Sequence, residues 1–220
     1  MVNPQLKKST ILIILCILAT LFTSLFKENP IVNYLYFSGE NLTKGYFWTL
    51  ITALFIHANP FRFPAHLIGN IIFLYVFGGT LEKEVGSARM MLAFLLGGAI
   101  SFILSLHFYG FNTRMIGASA AIFTLASIIM LVKPLKFSWL FFMPLGLVAI
   151  LYFIYNVLAV YYFSVSGFSI GYWGHIIGFL IGIPLGVAWS RGRWKKNLLI
   201  AIILLILYLT VTSLIQIWLS

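Results

Sequence analysis

The chain has unusually few charged residues for its length. Only 8% of its 220 residues are Asp, Glu, Lys or Arg, whereas a soluble domain carries about 25%. This scarcity indicates that lipid, rather than water, is the main solvent of the protein. Aspartate is absent altogether, and the four glutamates lie outside the long apolar runs. A catalytic Ser-His-Asp triad is therefore excluded by composition.

Cysteine and ligand-binding motifs are equally scarce. Cys16 is the one cysteine, so an internal disulfide cannot form. No Cys, His and carboxylate cluster has the spacing of a metal site, and no glycine-rich phosphate loop follows a strand. We therefore expect no metal and no cofactor. The net charge of +10 does not predict nucleic-acid binding, because the basic residues flank apolar runs instead of forming one stripe.

Long apolar runs are what the chain has in abundance. Its residues are 62% hydrophobic, with a mean hydropathy of +1.06, and a spanning helix needs ~20 predominantly apolar residues. The pattern predicts an all-α polytopic membrane protein with seven spans. They are expected near Ser9–Phe26, Ala65–Leu81, Ala88–Tyr109, Ile116–Val132, Trp139–Phe163, Phe168–Trp189 and Asn197–Leu219.

Lysine and arginine are distributed unevenly between the two predicted sides of the membrane. A cytoplasmic N-terminus places most of them inside, as the positive-inside rule requires, and leaves outside only Lys27, Lys44, Arg62 and Arg114. We therefore expect an integral, multi-pass protein of the plasma membrane with this orientation. The aromatic segment from Lys27 to Pro64 is too long for an ordinary connection and is expected to form a structured piece at the outer interface.

Polar residues inside the spans are costly, so each is a functional candidate. His66 and Asn70 share one face of the second span, Ser119 begins the fourth, and His175 lies near the start of the sixth. Taken singly, each is more commonly a helix-packing residue. Together they lie in one layer near the predicted outer surface, as a site requires.

Small residues indicate which helices meet at that layer. Glycine recurs every four residues from Gly174 to Gly186, and such a stripe allows close helix packing. The small residues around Ser119 make the fourth span the best partner. A neutral His175 could then take the proton of Ser119. A third partner is either absent or a ring stacked on the imidazole.

These motifs resemble the signature of the rhomboid intramembrane proteases. The resemblance rests on His66-x-x-x-Asn70, on Gly117-x-Ser119, and on His175 followed by Gly178 and Gly182. It covers roughly residues 27–189. It implies a six-helix protease core at residues 1–190, with an outer interfacial loop at 27–64, and one additional transmembrane helix at 191–220.

The resemblance also implies roles. Ser119 would be the nucleophile and His175 the base, while His66, Asn70 and the backbone N–H of Ser119 would hold the oxyanion. The reaction would be serine endopeptidase cleavage of single-span membrane proteins in the bilayer near the outer face, without metal or cofactor. The sequence departs from the family pattern at three residues, Ala120, Thr49 and Phe123.

Two other functions compete with the protease. One is an inactive rhomboid-like protein that binds transmembrane segments for trafficking or quality control, although such relatives usually lack the serine or the histidine. The other is a small transporter, for which polar residues should continue through the whole depth of the membrane. The oligomeric state and the substrate stay open.

Overall fold

The computed structural model of the chain describes residues 6–163 and 171–219. Six helices in this part are long and apolar enough to cross a membrane. They are Lys8–Leu25, Pro64–Val85, Ser87–Tyr109, Leu145–Tyr162, Tyr172–Trp189 and Trp194–Leu219. The prediction of an all-α polytopic membrane protein is confirmed.

The helices follow one another with short connections. In chain order the α-helices are α1 (Lys8–Leu25), α2 (Gly39–Thr43), α3 (Thr49–Phe55), α4 (Pro64–Phe73), α5 (Gly79–Val85), α6 (Ser87–Tyr109), α7 (Ser119–Val132), α8 (Leu145–Phe163), α9 (Tyr172–Trp189) and α10 (Trp194–Leu219). A π-helical stretch, Leu74–Gly78, joins α4 and α5 into one rod. A 3-10 helix, Pro30–Tyr34, precedes α2.

Helix α7 is the centre of the bundle and is shorter than its neighbours. Every residue from Ala120 to Leu131 is buried, as expected for a helix that is apolar on all sides. The predicted start at Ile116 was wrong, because Gly117 has a φ of 111°, which is not helical. With 14 residues, α7 is about 21 Å long, against about 30 Å for the hydrocarbon core.

One other predicted boundary also needs correction. The fifth span does not start at Trp139, because two short strands, β1 (Phe137–Ser138) and β2 (Met143–Pro144), pair there in antiparallel fashion. The predicted start of the sixth span, Phe168, lies outside the described residues, and α9 begins at Tyr172.

The glutamates were expected outside the spans, but Glu82 and Glu84 lie inside the rod formed by α4 and α5, and Glu82 is buried. Its carboxylate accepts hydrogen bonds from the Lys8 backbone N–H at 2.8 Å and from Ser87 Oγ at 2.7 Å. Nearby, Lys133 pairs with Glu84 at 3.5 Å. The start of α1 and the ends of α5 and α7 therefore lie at the same end of the bundle.

The segment before α4 is structured, as the sequence predicted. Phe37 is fully buried and its ring stacks on Phe102 at 5.3 Å. Its backbone also exchanges hydrogen bonds with Met115. The segment thereby packs against α6 and the loop that precedes α7, at the end of the bundle opposite to Glu82.

Helices α7 and α9 lie in close contact along the glycine stripe. A Cβ atom added at Gly178 would overlap the backbone carbonyl of Ala120, and one at Gly182 would overlap that of Thr124. Thr124 Oγ1 in turn donates to the Gly178 carbonyl at 2.8 Å. Only glycine allows this approach of two helix backbones, and the approach positions the residues at the start of both helices.

Candidate active site

Ser119 and His175 meet where α7 and α9 begin. The distance from Ser119 Oγ to His175 Nε2 is 2.7 Å, a good length for a hydrogen bond from a hydroxyl. Both side chains are only partly buried, so the pair is not sealed inside the bundle. A serine beside an imidazole is the arrangement in which a base can activate a hydroxyl nucleophile.

An aromatic ring covers one face of the imidazole. Phe123, one turn after Ser119, stacks on His175 with centroids 4.7 Å apart and an interplanar angle of 8°. Tyr152 of α8 stacks on Phe123 at 4.2 Å. The sequence left open whether a stacked ring accompanies the histidine, and the structure supplies one. Phe123 lacks a hydroxyl, so its contribution is packing alone.

A second polar side chain contacts His175, and the sequence reasoning missed it. Asn156 Oδ1 of α8 lies 2.6 Å from His175 Nδ1, and Asn156 is only 1% exposed. The available signal was an amide in the middle of the fifth apolar run, where a polar residue deserves functional weight. It was overlooked because it lies far in sequence from the motifs around Ser119 and His175.

His66 lies close to the turn that precedes Ser119. A Cβ atom built on Gly117 would be 3.1 Å from His66 Nε2 and 3.9 Å from Ser119 Oγ, so the imidazole faces the turn that leads into α7. His66 Nδ1 accepts a hydrogen bond from the Ala58 backbone N–H at 3.1 Å. In the neutral ring the proton therefore resides on Nε2, which is a donor towards Gly117 and Ser119.

Asn70 makes its described hydrogen bond within its own helix. Its Nδ2 donates to the His66 carbonyl at 2.6 Å, within its own helix. The hydrogen bonds described for Asn70 do not reach Ser119 or His175. Its proposed contact with an oxyanion thus stays a prediction, whereas His66 is already next to the turn before the serine.

His57 supports the same turn. It is buried, its Nε2 accepts from the Ala118 backbone N–H at 3.4 Å, and its Nδ1 lies 3.2 Å from Thr20 Oγ1. Its ring meets the edge of His66 at 5.1 Å. Burial lowers the pKa of His57 to about 3, so this imidazole stays neutral and acts as a fixed support.

The start of α7 adds a backbone donor. Ser119 is the first residue of the helix, and the first N–H groups of a helix lack an intrahelical acceptor. The helix dipole also favours negative charge at this end. A hydroxyl, an imidazole and N–H donors thus lie close together at the start of α7. Within residues 6–163 and 171–219, no three His, Cys, Asp or Glu side chains form a group that could hold a metal ion.

Comparisons with known proteins identify relatives of the chain. Residues 44–192 match the family model of the Rhomboid domain. The chain is 36% identical over 92 residues to the chloroplastic rhomboid-like protein 11 of Arabidopsis thaliana, covering 42% of this chain and 31% of that protein. It is 26% identical over 166 residues to rhomboid-like protease 1 of Toxoplasma gondii, covering 74% and 55%.

A third relative matches over nearly its whole length. This is the rhomboid protease GlpG of Haemophilus influenzae, 22% identical over 189 residues, which cover 86% of this chain and 94% of that protein. The chain spans about a third and about half of the first two relatives. Since the domain model covers most of the bundle and both helices of the Ser119–His175 pair, the chain belongs to the rhomboid family.

Proposed function

We propose that the chain is an intramembrane serine endopeptidase in which Ser119 attacks the scissile carbonyl and His175 is the base. The observation that carries this proposal is the 2.7 Å distance between Ser119 Oγ and His175 Nε2, between helices that pack backbone to backbone. Two of the relatives are named as rhomboid proteases, which supports the same reaction at low identity.

The proposed reaction proceeds in two halves. His175 Nε2 takes the hydroxyl proton as Ser119 Oγ bonds to the substrate carbonyl carbon, and the carbonyl oxygen becomes an oxyanion. The Ser119 N–H and His66 Nε2–H stabilise that oxyanion, with Asn70 as a further proposed donor. His175 then protonates the leaving amine. A water molecule, activated by the same imidazole, hydrolyses the acyl-enzyme and frees Ser119.

The length of α7 supports a cleavage site inside the bilayer. If Lys133 lies at the inner interface, a helix of 14 residues ends about 9 Å short of the opposite edge of the hydrocarbon core. Ser119 then lies just below the outer surface, at the end of the bundle away from Glu82. We propose the orientation with a cytoplasmic N-terminus, and single-span membrane proteins as substrates.

The protease core is proposed to comprise residues 1–190, with the loop at 27–64 as its outer edge. Of the remaining residues, 191–220, Trp194–Leu219 form α10, in which Asn197 and Ala201 are the buried residues among those described. Asn197 Nδ2 donates to the Leu131 carbonyl at 2.7 Å. The additional helix thus contacts the core near the end of α7, far from Ser119.

Cleavage of a model single-span substrate in proteoliposomes tests the proposal. Ser119→Ala and His175→Ala should each lower kcat by at least about 10³-fold, whereas Ser213→Ala in exposed α10 should cleave like wild type. A serine-directed fluorophosphonate should label wild type at Ser119. Equal cleavage by wild type and Ser119→Ala would refute the assignment.

The inactive relative predicts a different outcome of the same experiment. In that case the wild type would retain the substrate segment in the bilayer without cleaving it, and Ser119→Ala would change neither result. A transporter would need polar residues deep in the bundle, but the inner half of α7, from Leu125 to Leu131, is buried and mostly apolar.

A further inference from the structure

The contact between Asn156 and His175 determines which imidazole nitrogen carries the proton, and therefore whether the nitrogen next to Ser119 can act as a base. Asn156 Oδ1 is 2.6 Å from His175 Nδ1. On its opposite edge, Asn156 Nδ2 is 2.7 Å from the Tyr152 backbone carbonyl, one turn earlier in α8. An amide can accept at its oxygen and donate at its nitrogen, so its orientation decides whether the histidine nitrogen must donate or accept a hydrogen bond.

The Tyr152 carbonyl sets that orientation. A carbonyl oxygen can only accept, so the amide nitrogen must face it and the amide oxygen must face His175. An amide oxygen can only accept as well. His175 Nδ1 must therefore carry the proton, and the lone pair of the neutral ring is on Nε2, which is the nitrogen next to Ser119 Oγ.

This tautomer is the one that proton transfer requires. With the proton on Nε2, the imidazole would present an N–H group to the serine and could not accept its proton. We propose that Asn156 is a positioning residue for catalysis, which keeps His175 in the Nδ1–H tautomer and holds the ring towards Ser119. The inference rests on the proposed function, but the tautomer itself can be measured without proteolysis.

The surroundings explain why an amide suits this position. Asn156 is 1% exposed within a membrane-spanning helix, where a charged side chain is costly. A neutral amide orients the imidazole without that cost. Helix α8 also supports His175 indirectly, because Tyr152 stacks on Phe123 and Phe123 stacks on the imidazole. The ring of His175 is thus constrained at Nδ1, at Nε2 and on one face.

A purely structural role is the competing explanation, because buried asparagines often join helices by hydrogen bonds. The chain offers a matched control for it. Asn197 is also buried, and its Nδ2 bonds two carbonyls at the end of α7, but it does not contact the Ser119–His175 pair. Asn156→Leu and Asn197→Leu each remove a buried amide that links helices, and only the first should alter His175.

The experiment combines kinetics with nitrogen NMR of the full chain labelled at histidine. Asn156→Leu should lower kcat about tenfold to a hundredfold with little change in KM, less than the 10⁴-fold that a wrong tautomer costs a serine triad. Asn156→Asp, whose carboxylate can accept from Nδ1–H, should recover part of that loss. Asn197→Leu should retain the wild-type kcat in its folded fraction.

The NMR spectra decide between positioning and packing. In wild type, neutral His175 should show its proton on Nδ1, and Asn156→Leu should show a mixture of the two tautomers. A wild-type ring protonated on Nε2, or an Asn156→Leu variant with the wild-type tautomer and kcat, would overturn the inference. If wild type does not cleave, the proposed function fails, whereas the tautomer and its dependence on Asn156 are still measured.

Discussion

Replacing Gly178 by alanine tests the close approach of α7 and α9 on which the candidate site depends. A Cβ atom at this position would overlap the carbonyl oxygen of Ala120 and lie 2.9 Å from its carbonyl carbon and 3.2 Å from its Cα. All three are backbone atoms, so no side-chain rotation can relieve the overlap. The helices must separate instead.

The size of the separation can be worked out from these contacts. Ordinary Cβ contacts begin at 3.4 Å, so the two backbones must move apart by roughly 1 Å, which overpacking data place at about 1–3 kcal/mol of stability. Ser119 and His175 stand next to this contact. Their distance of 2.7 Å would increase to roughly 3.7 Å, which is no longer a hydrogen bond. A misplacement of about 1 Å can cost about 10²-fold in rate.

The assay is initial-rate cleavage of the model substrate, with unfolding followed in parallel. Gly178→Ala should lose about 10²-fold in kcat. Two controls carry the same chemical change: Gly69→Ala, whose Cβ meets nothing within 4 Å, and Gly174→Ala, whose Cβ would lie 3.4 Å from Ser105 Oγ and 3.9 Å from Ala120 Cβ. Both should cleave far faster than Gly178→Ala. If Gly178→Ala cleaves as fast as Gly69→Ala, the argument from helix approach is wrong.

Three further predictions concern the supports of the site and of the bundle. Phe123→Ala removes the ring stacked on His175 and should lower kcat by up to about tenfold, with Phe123→Tyr losing less in the same assay. Glu82→Gln removes a carboxylate that accepts from Ser9 N–H at 3.0 Å and Ser9 Oγ at 2.7 Å; it should lower the free energy of unfolding by about 1–3 kcal/mol, and an unchanged Tm would contradict this. His57 has a pKa of about 3 in the folded chain and near 6.5 when unfolded, so the unfolded chain binds the proton first as the pH falls below 6.5. Stability should then decrease by up to about 2 kcal/mol between pH 6.5 and 5, and this slope should be smaller in His57→Gln when denaturation is measured across that range.

Much of the fold could be predicted because membrane solvent imposes simple rules. Apolar runs near 20 residues must be helices, since their backbone groups have no other partners. The residues expected to meet, Ser119 and His175, were found from small residues and from their common depth. Glycine at every fourth position marks one face of a helix, and the closest partner of such a face is another helix with small residues.

The wrong predictions concern positions where a particular backbone conformation, or a hydrogen bond between two elements, determines the structure. The start of α7 depends on the positive φ of Gly117 and on the hydrogen bond from its N–H to the Ala53 carbonyl. Neither feature can be predicted from hydropathy. Glu82 was predicted to lie just outside the second span, and a carboxylate is costly in lipid. Its hydrogen bonds to the start of α1 compensate for that cost, and they exist only in the folded bundle.

By itself, the sequence determined that this protein is a bundle of membrane helices and that a serine and a histidine lie at one depth, because hydrophobic length and helical period are local properties. Only the tertiary structure decided that Asn156 faces His175 and that His57 supports the turn before Ser119. Apart from Asn156, helix α8 has apolar or aromatic residues on all sides, so its rotation depends on packing against its neighbours rather than on its own pattern.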